Sequence, residues 1–295
     1  MHFTEAKSLL IQNKGHVGMN IYRGCSHGCI YCDSRSKCYG FTHDFEDIEV
    51  KKNAPELLEK ALRSKRNKCM IGTGSMSDPY MHCEKELELT RECLKTADKL
   101  GFGFSLLTKS DMVMRDIDIL SSINEKARAV LQMTVTTFDD ELCRKLEPNV
   151  CPTSRRLEVL REFSKRGIDT AVWLSPVLPF INDTEENIVS ILEGCAEAGV
   201  KAVVCFGMGL TLREGNREYY FDALDRLYPG LKERYMKLYG NSYMVMSPDN
   251  GRLMKIFRDL CADHGIICDM NECFEWMDRF PEKSVQISMF DMMPK

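Results

Sequence analysis

Short apolar runs alternate with longer amphipathic segments between residues 18 and 207. The apolar runs predict six strands, over residues 18–22, 69–73, 104–108, 129–136, 170–174 and 200–207. The intervening segments repeat apolar residues at helical spacing, as Leu87, Leu94 and Ala97 do in one of them. Strands that alternate with helices in this way indicate βα units and an α/β fold with a parallel sheet.

The predicted helices and the end of the alternation divide the chain into three parts. Helices are predicted over residues 55–66, 84–100, 115–123, 139–146, 153–166, 184–198 and 250–264. We expect a polar lead-in over residues 1–17, a βα domain over 18–208, and an α-rich extension over 209–295. The extension carries many tyrosines between residues 216 and 240, and we expect it to pack on the βα domain and cover part of its open side.

Polar and glycine-rich segments follow the predicted strands directly. They include the cysteine-rich loop and residues 74–78, 109–110, 134–137 and 176–183. In α/β barrels, catalytic residues come from the carboxyl ends of the strands. We therefore expect these segments to meet at one edge of the sheet and to form the functional site there.

Three cysteines on one short loop carry the clearest chemical signal in the chain. Cys25, Cys29 and Cys32 have Cx3Cx2C spacing. Three thiolates can hold three corners of a [4Fe-4S] cluster and leave the fourth iron without a protein ligand. Gly24 and Gly28 let the loop adopt backbone angles that other residues avoid, so we expect it to wrap closely around a bulky group.

Two other interpretations of the cysteine loop are weaker. Structural zinc sites usually pair one Cx2C with a second Cx2C or a histidine pair, and the sequence has no second Cx2C. Disulfide frameworks are typical of short secreted chains. The iron–sulfur interpretation is therefore favoured, with zinc as the alternative.

Composition narrows the class of protein further. The chain has 295 residues, a net charge of -4 and 14 cysteines. The acidic balance argues against a dedicated nucleic-acid binder, and nucleic acid is not the favoured partner. Many cysteines without a secretory signal predict a reducing compartment, and the lack of a long apolar run predicts no membrane span. We expect a cytoplasmic protein.

The cysteine loop, with Tyr31 directly before the third cysteine, resembles the signature of radical S-adenosylmethionine (radical SAM) enzymes. The resemblance implies a partial (β/α)6 TIM-like barrel that is open on one side for substrate. It also implies that SAM binds the open iron of a [4Fe-4S] cluster held by Cys25, Cys29 and Cys32. One electron from an external flavodoxin- or ferredoxin-like donor would cleave SAM to a 5'-deoxyadenosyl radical, which abstracts hydrogen from a substrate.

Further motifs are similar to those of the spore photoproduct lyase-like group of this superfamily. They are residues 74–80, residues 108–110 followed by 115–118, Glu147-Pro148, and residues 179–183. Most members of the group have no assigned substrate. The resemblance implies that Ser77, Lys109 and Thr134 contact SAM. The full set of candidate cofactor-binding residues is Tyr31, Gly74, Ser75, Ser77, Lys109 and Thr134.

One departure argues against photoproduct lyase chemistry. In that enzyme a cysteine two residues before the SAM-contacting serine donates hydrogen to the substrate radical, and the matching residue here is Ser75. A hydroxyl is a poor hydrogen-atom donor. The favoured function is thus a radical SAM enzyme with an unassigned substrate. The alternatives are a DNA photoproduct lyase, a maturase acting on a peptide, and a non-enzymatic iron–sulfur electron carrier or redox sensor.

Other residues allow a functional and a structural interpretation. Cys205 ends the sixth strand and is a candidate replacement hydrogen donor, although a core position is favoured for it. Cys261, Cys268 and Cys273 could ligate a second cluster, but buried structural thiols are favoured. His27 either donates to a cluster sulfur or faces solvent.

Several charged residues near the motifs are expected to be structural. Asp78 is expected in a turn, and Arg115 is expected in an ion pair with Asp116 or Asp118. Glu147 is expected to form a salt bridge with one of the two neighbouring arginines at positions 155 and 156.

Overall fold

The computed structural model describes residues 1–13 and 16–281. Its strands are β1 (His2–Thr4), β2 (Leu10–Asn13), β3 (His16–Met19), β4 (Tyr22–Arg23), β5 (Glu49–Lys51), β6 (Met70–Thr73), β7 (Gly103–Thr108), β8 (Ala129–Thr134), β9 (Asp169–Trp173), β10 (Ala202–Val204), β11 (Gly209–Thr211) and β12 (Met244–Met246). Its α-helices are α1 (Ala54–Ser64), α2 (Glu84–Leu87), α3 (Leu89–Leu100), α4 (Ile117–Lys126), α5 (Asp140–Leu146), α6 (Thr153–Lys165), α7 (Glu185–Ala198), α8 (Asn216–Leu227), α9 (Leu231–Tyr239), α10 (Asn250–Asp263) and α11 (Met270–Asp278).

The main sheet has seven strands in the order β10-β9-β8-β7-β6-β3-β2. Neighbouring strands from β10 to β3 are parallel, and β2 joins the edge antiparallel to β3. The six predicted strands all form, and they make up the parallel part. The described sheet keeps two edges and does not close into a barrel, so the predicted α/β fold with an open sheet is confirmed.

The strands are apolar because helices cover the sheet. All six residues of β8 are buried, as are five of the six in β7, which is typical of strands in a parallel sheet. The largest core cluster joins strand residues such as Phe104 and Leu131 to helix residues such as Leu94, Leu160 and Ile191. In the described residues, none of the helices is both long and apolar enough to cross a bilayer.

The predicted helix over residues 84–100 is wrong in one respect, because it is broken. Glu88 adopts a positive φ of 50° and separates α2 from α3. The Glu84 carboxylate is fully buried and accepts hydrogen bonds from the Thr90 backbone N–H and the Arg115 guanidinium. This buried carboxylate holds the break, and a hydrophobic pattern does not report such a contact.

The lead-in over residues 1–17 is more ordered than the sequence suggests. Strand β1 pairs with β5, which pairs with β4, and the three strands form a small separate sheet. Strand β2 extends the main sheet. The expectation of a merely polar lead-in is therefore wrong, because two short strands of this segment pair with strands that follow it in the chain.

The segment after residue 208 packs against the cysteine loop. Strands β11 and β12 pair antiparallel, and Leu210 and Val245 share an apolar cluster with Tyr220 and Tyr235 from α8 and α9. The same cluster contains Cys29, Ile30 and Tyr31 of the cysteine loop. Helices α10 and α11 lie on other parts of the domain. The boundaries at residues 17 and 208 remain predictions.

Candidate functional site

A cavity of about 560 Å³ opens at the carboxyl ends of β6, β7 and β8. The sequence-predicted site residues that line it are Cys25, Cys29, Tyr31, Cys32, Gly74, Ser75, Ser77, Lys109 and Thr134. Cys205 does not line it. The loops that follow separate strands thus meet at one edge of the sheet.

The cysteine loop is held by backbone hydrogen bonds to distant segments on both sides. The Cys25 N–H donates to the Phe45 carbonyl (3.1 Å), and the Ile30 N–H donates to the Leu146 carbonyl (3.0 Å). Gly24 has a φ of +87°, and a Cβ at this position would lie 2.4 Å from the Phe45 oxygen. The predicted need for glycine is confirmed, but the close approach at Gly24 is to the protein backbone.

The three cysteines are free thiols, as are all fourteen cysteines of the chain. Burial raises the pKa of the Cys25 thiol to about 12 and raises that of Cys29 well above its usual value. Lys109 opposes the shift at Cys29. A bound cation converts thiols to thiolates, and the three cysteine thiols on this cavity are a donor set that suits an iron–sulfur cluster.

Asp78 connects the end of β6 to the end of β7. Its carboxylate accepts hydrogen bonds from the Thr108 hydroxyl and the Lys109 backbone N–H, both at 2.7 Å, and from the Tyr80 N–H at 2.8 Å. His27 Nδ1 lies 3.5 Å from the same carboxylate. The predicted turn role of Asp78 is correct but incomplete, because its side chain also joins the cysteine loop to two strand ends.

His27 is buried and does not face solvent. Its ring packs edge-on against His82, with 6.0 Å between ring centroids. Burial lowers the pKa of His27 to about 4, so the imidazole is neutral at physiological pH. The solvent-facing interpretation of this residue is therefore wrong.

A second buried network joins the cysteine loop to the end of β8. The Tyr31 hydroxyl donates to Glu147, whose carboxylate pairs with Arg156 at 2.5 Å. Arg156 also donates to the Thr134 carbonyl at 2.8 Å, and its side chain is fully buried. Of the two arginines left open by the sequence, Arg156 is the partner of Glu147.

Lys109 is the cation of this part of the cavity. Its backbone is fixed at both ends, since its N–H donates to Asp78 and its carbonyl accepts from the Cys151 thiol. Its ammonium lies 5.9 Å from the centroid of the Tyr31 ring. Among the residues that the structure describes, no carboxylate lies within 4.0 Å of this ammonium. The Lys109 side chain is thus available to an anionic ligand.

The hydroxyl groups of Ser77 and Ser75 differ in exposure and in hydrogen bonding. Ser77 is buried and donates to the Tyr22 carbonyl at 2.7 Å, which ties it to the strand before the cysteine loop. Ser75 is exposed. Both line the cavity, and their predicted contacts with SAM remain predictions.

The opposite wall of the cavity was not predicted. It is formed by Phe206, Arg213, Tyr243, Met244 and Met246, among others, whereas Trp173 ends β9 beside Thr134 of β8. Phe206, Tyr243 and Met244 are about half exposed. Among the described residues, the carboxylate nearest the Arg213 guanidinium is that of Asp33 at 3.5 Å, and Arg213 donates to the Tyr243 hydroxyl at 2.6 Å. Of these wall residues, Phe206 lies in the predicted strand over residues 200–207 and could have been found from the pattern.

Cys205, Cys261 and Cys273 lie in apolar surroundings. Cys205 is buried against Met254, with 3.8 Å between the sulfur atoms, so the core interpretation is supported over that of a hydrogen donor. Cys261 and Cys273 belong to two separate apolar clusters. Cys268 lies beside Cys261, and the favoured structural interpretation of the three thiols stays a prediction.

The model of the radical SAM superfamily matches residues 19–193 of the chain. The chain belongs to the radical SAM superfamily. Members of this superfamily use a [4Fe-4S] cluster and SAM, and the matched residues include the cysteine loop and the ends of β6, β7 and β8.

Known proteins with related sequences or folds support this assignment. An uncharacterized protein of Mycobacterium tuberculosis is 30% identical over 234 residues, which cover 75% of this chain and 66% of that protein. The chain therefore spans slightly less than two thirds of this relative. A radical SAM Nalpha-GlyT isomerase of Pseudomonas phage M6 is 24% identical over 180 residues, which cover 61% of this chain and 36% of the isomerase.

Among solved structures, a spore photoproduct lyase complexed with dinucleoside spore photoproduct superposes with a TM-score of 0.65. The superposition covers 90% of this chain and 80% of the lyase, at 14% identity. The likeness shows that the radical SAM chain has the fold of that enzyme, as the sequence motifs predicted.

Proposed function

We propose that this chain is a radical SAM enzyme in which Cys25, Cys29 and Cys32 hold a [4Fe-4S] cluster. The observation that carries the proposal is the convergence of the three thiols with the candidate SAM-binding residues on one cavity. When bound, the cluster and SAM supply reductive cleavage of SAM, with an electron from an external donor, and hydrogen abstraction from a substrate.

The residues of the strand ends would bind and orient SAM. The Lys109 ammonium is the group suited to the SAM carboxylate, since a charge-assisted hydrogen bond is stronger than a neutral one. Asp78 fixes the Lys109 backbone and thereby the point from which the Lys109 side chain extends. Gly74, Ser75, Ser77 and Thr134 line the same region, and their backbone and hydroxyl groups are the polar partners for the rest of the cofactor.

The opposite wall would receive the substrate. Its aromatic and thioether side chains can exclude water from the reacting groups, and Arg213 can orient a polar or anionic part of the substrate. These residues follow the matched superfamily region, which ends at residue 193. The relatives named above include an isomerase and a lyase, so the superfamily alone does not fix the reaction or the substrate.

The test is formation of 5'-deoxyadenosine from SAM by the anaerobically reconstituted, dithionite-reduced chain. The wild type is expected to form it, and C29A is expected to lose both the cluster and the product. C38A is the matched control, because Cys38 is an exposed thiol six residues after Cys32 and outside the cavity. Absence of 5'-deoxyadenosine above the C29A background would reject the proposal.

A DNA photoproduct lyase is the second candidate, and the shared fold is the observation that favours it. Ser75 lines the cavity at the position where the resemblance places the hydrogen-donating cysteine. Incubation of the active chain with a dinucleoside spore photoproduct distinguishes the two functions. Repair to the two thymidines would establish the lyase, whereas SAM cleavage without repair would support a different substrate.

A further inference from the structure

Two histidines and a glutamate gather on the small N-terminal sheet, outside the cavity. His2 lies on β1 directly opposite Glu49 of β5, since the two residues are paired in the strand register. His43 comes from the loop that precedes β5. One donor atom from each of the three side chains lies within 4.8 Å of the other two.

Hydrogen bonds select the tautomer of each imidazole ring in its neutral form. His2 Nδ1 lies 2.9 Å from the Asp47 carboxylate, and His43 Nδ1 lies 2.9 Å from the Asp44 carbonyl. Both partners are acceptors, so each Nδ1 donates and each Nε2 carries a lone pair. Histidines that bind metals typically donate the other ring N–H to a carboxylate or a backbone carbonyl in this way.

The His43 Nε2 atom is unsatisfied in the surroundings that the structure describes. It is buried and has no hydrogen-bond partner, and it lies 3.8 Å from Glu49 Oε2. The other Glu49 oxygen accepts from the Thr4 hydroxyl at 3.2 Å. A lone pair on nitrogen and a carboxylate oxygen at this separation are suited to a shared cation.

We propose that His2, His43 and Glu49 bind a divalent transition-metal ion, with zinc as the best fit. Two imidazoles and one carboxylate are a donor set that zinc accepts, with a fourth position left for water. Water can reach that position, because the His2 side chain is 40% exposed. The Arg23 guanidinium lies 3.8 Å from Glu49 Oε2, so it competes for the carboxylate and moderates the affinity.

Such an ion would support the cysteine loop from outside the cavity. It would join β1, β5 and the loop that carries His43. Two residues after His43, the Phe45 carbonyl accepts the hydrogen bond from the Cys25 N–H. Strand β5 also pairs with β4, which leads directly into the cysteine loop. The proposed ion would thus join these segments, and its binding does not depend on the reaction catalysed in the cavity.

The experiment uses the full chain without a purification tag, with its cluster reconstituted, after equilibration with zinc and gel filtration. Elemental analysis is expected to give about one zinc per chain, and zinc X-ray absorption is expected to show nitrogen or oxygen ligands at about 2.0–2.2 Å without sulfur at about 2.3 Å. H43Q and E49Q are expected to lose this zinc. H264Q is the matched control, because His264 is exposed at the end of α10.

Two further measurements separate the metal site from a simple ion pair. D47A removes the partner of His2 and is expected to weaken zinc binding about 10- to 100-fold. Zinc is expected to raise the melting temperature of the wild type but not that of E49Q. Iron content and circular dichroism show whether each variant is folded, and E49Q replaces H43Q if the latter does not fold.

Three outcomes would overturn the proposal. They are a wild type without zinc, equal zinc in the wild type and in folded H43Q or E49Q, and a sulfur shell around the zinc. The last outcome would place the zinc on cysteines.

Discussion

The two walls of the cavity are built in different ways. Asp78 lines the strand-end wall, and Glu147 and Arg156 lie behind it; all three are buried, and each is bonded to groups from other elements. On the opposite wall, Phe206 and Tyr243 are about half exposed. The comparison indicates that the first wall holds the cofactors in a fixed position. Residues of the second wall can be replaced while the first wall keeps its structure. Substrate selection is therefore expected on the second wall.

The largest expected effect is on the stability of the fixed wall. R156M leaves the Glu147 carboxylate buried without its partner, which is expected to lower the free energy of unfolding by about 3–5 kcal/mol. R155M is the control on the same helix, because the pairs that Arg155 forms within the described residues, with Asp111 and Glu158, are exposed. It is expected to change stability by about 1 kcal/mol or less. Urea denaturation under anaerobic conditions measures both, and equal effects would contradict the distinction between the walls.

The next effect is on SAM binding. K109M removes the cation that lines the strand-end wall and is expected to raise the Kd for SAM about 10- to 100-fold, the equivalent of about 1.5–3 kcal/mol. Isothermal titration calorimetry on the reconstituted chain measures this. R213M, across the cavity, is the matched loss of a positive charge. If both variants weakened SAM binding equally, the assignment of the strand-end wall to SAM would be wrong.

A smaller effect is expected at Asp78. D78N keeps one acceptor oxygen and loses the other, so either Thr108 or Lys109 loses its partner. We expect a loss of about 1–2 kcal/mol in unfolding free energy and a weaker affinity for SAM. The cluster is expected to assemble, because Cys25, Cys29 and Cys32 are unchanged. Iron content gives that control, and unchanged SAM affinity would show that Lys109 is positioned without Asp78.

The smallest effect on the strand-end wall is expected from a substitution on the opposite wall. R213M is expected to change unfolding free energy by about 1 kcal/mol or less, since the Arg213 side chain is one-third exposed. Formation of 5'-deoxyadenosine without substrate is expected to stay within about twofold of wild type (~0.4 kcal/mol). If R213M lost this activity as strongly as K109M, the two walls would act as one unit.

The same contrast explains what the sequence could predict. The six parallel strands follow from apolar runs, and the site at their carboxyl ends follows from where the polar segments lie. The candidate residues Cys25, Lys109 and Thr134 were proposed from these segments, and the structure places them on one cavity. The broken helix at Glu88 depends on the buried Glu84 carboxylate, and no periodicity reveals that contact.

The opposite wall was missed for a related physical reason. Arg213 and Tyr243 lie on or beside short antiparallel strands, which are too short to carry a pattern. The nearness of Arg213 to Asp33 and Tyr39 of the cysteine region depends on contacts between residues more than 170 positions apart. For Cys205 the sequence left a core and a cavity location open, because a position at a strand end does not determine which side of the sheet a thiol occupies.

The apolar cluster that Cys29, Ile30 and Tyr31 share with Tyr220 and Tyr235 has a consequence for truncation. A shortened chain that ended at residue 208 would retain every candidate cluster ligand. It would also expose one apolar face of the cysteine loop to water. Such a fragment is expected to aggregate or lose iron, so the aromatic helices belong to the minimal unit that can be loaded with iron and sulfide.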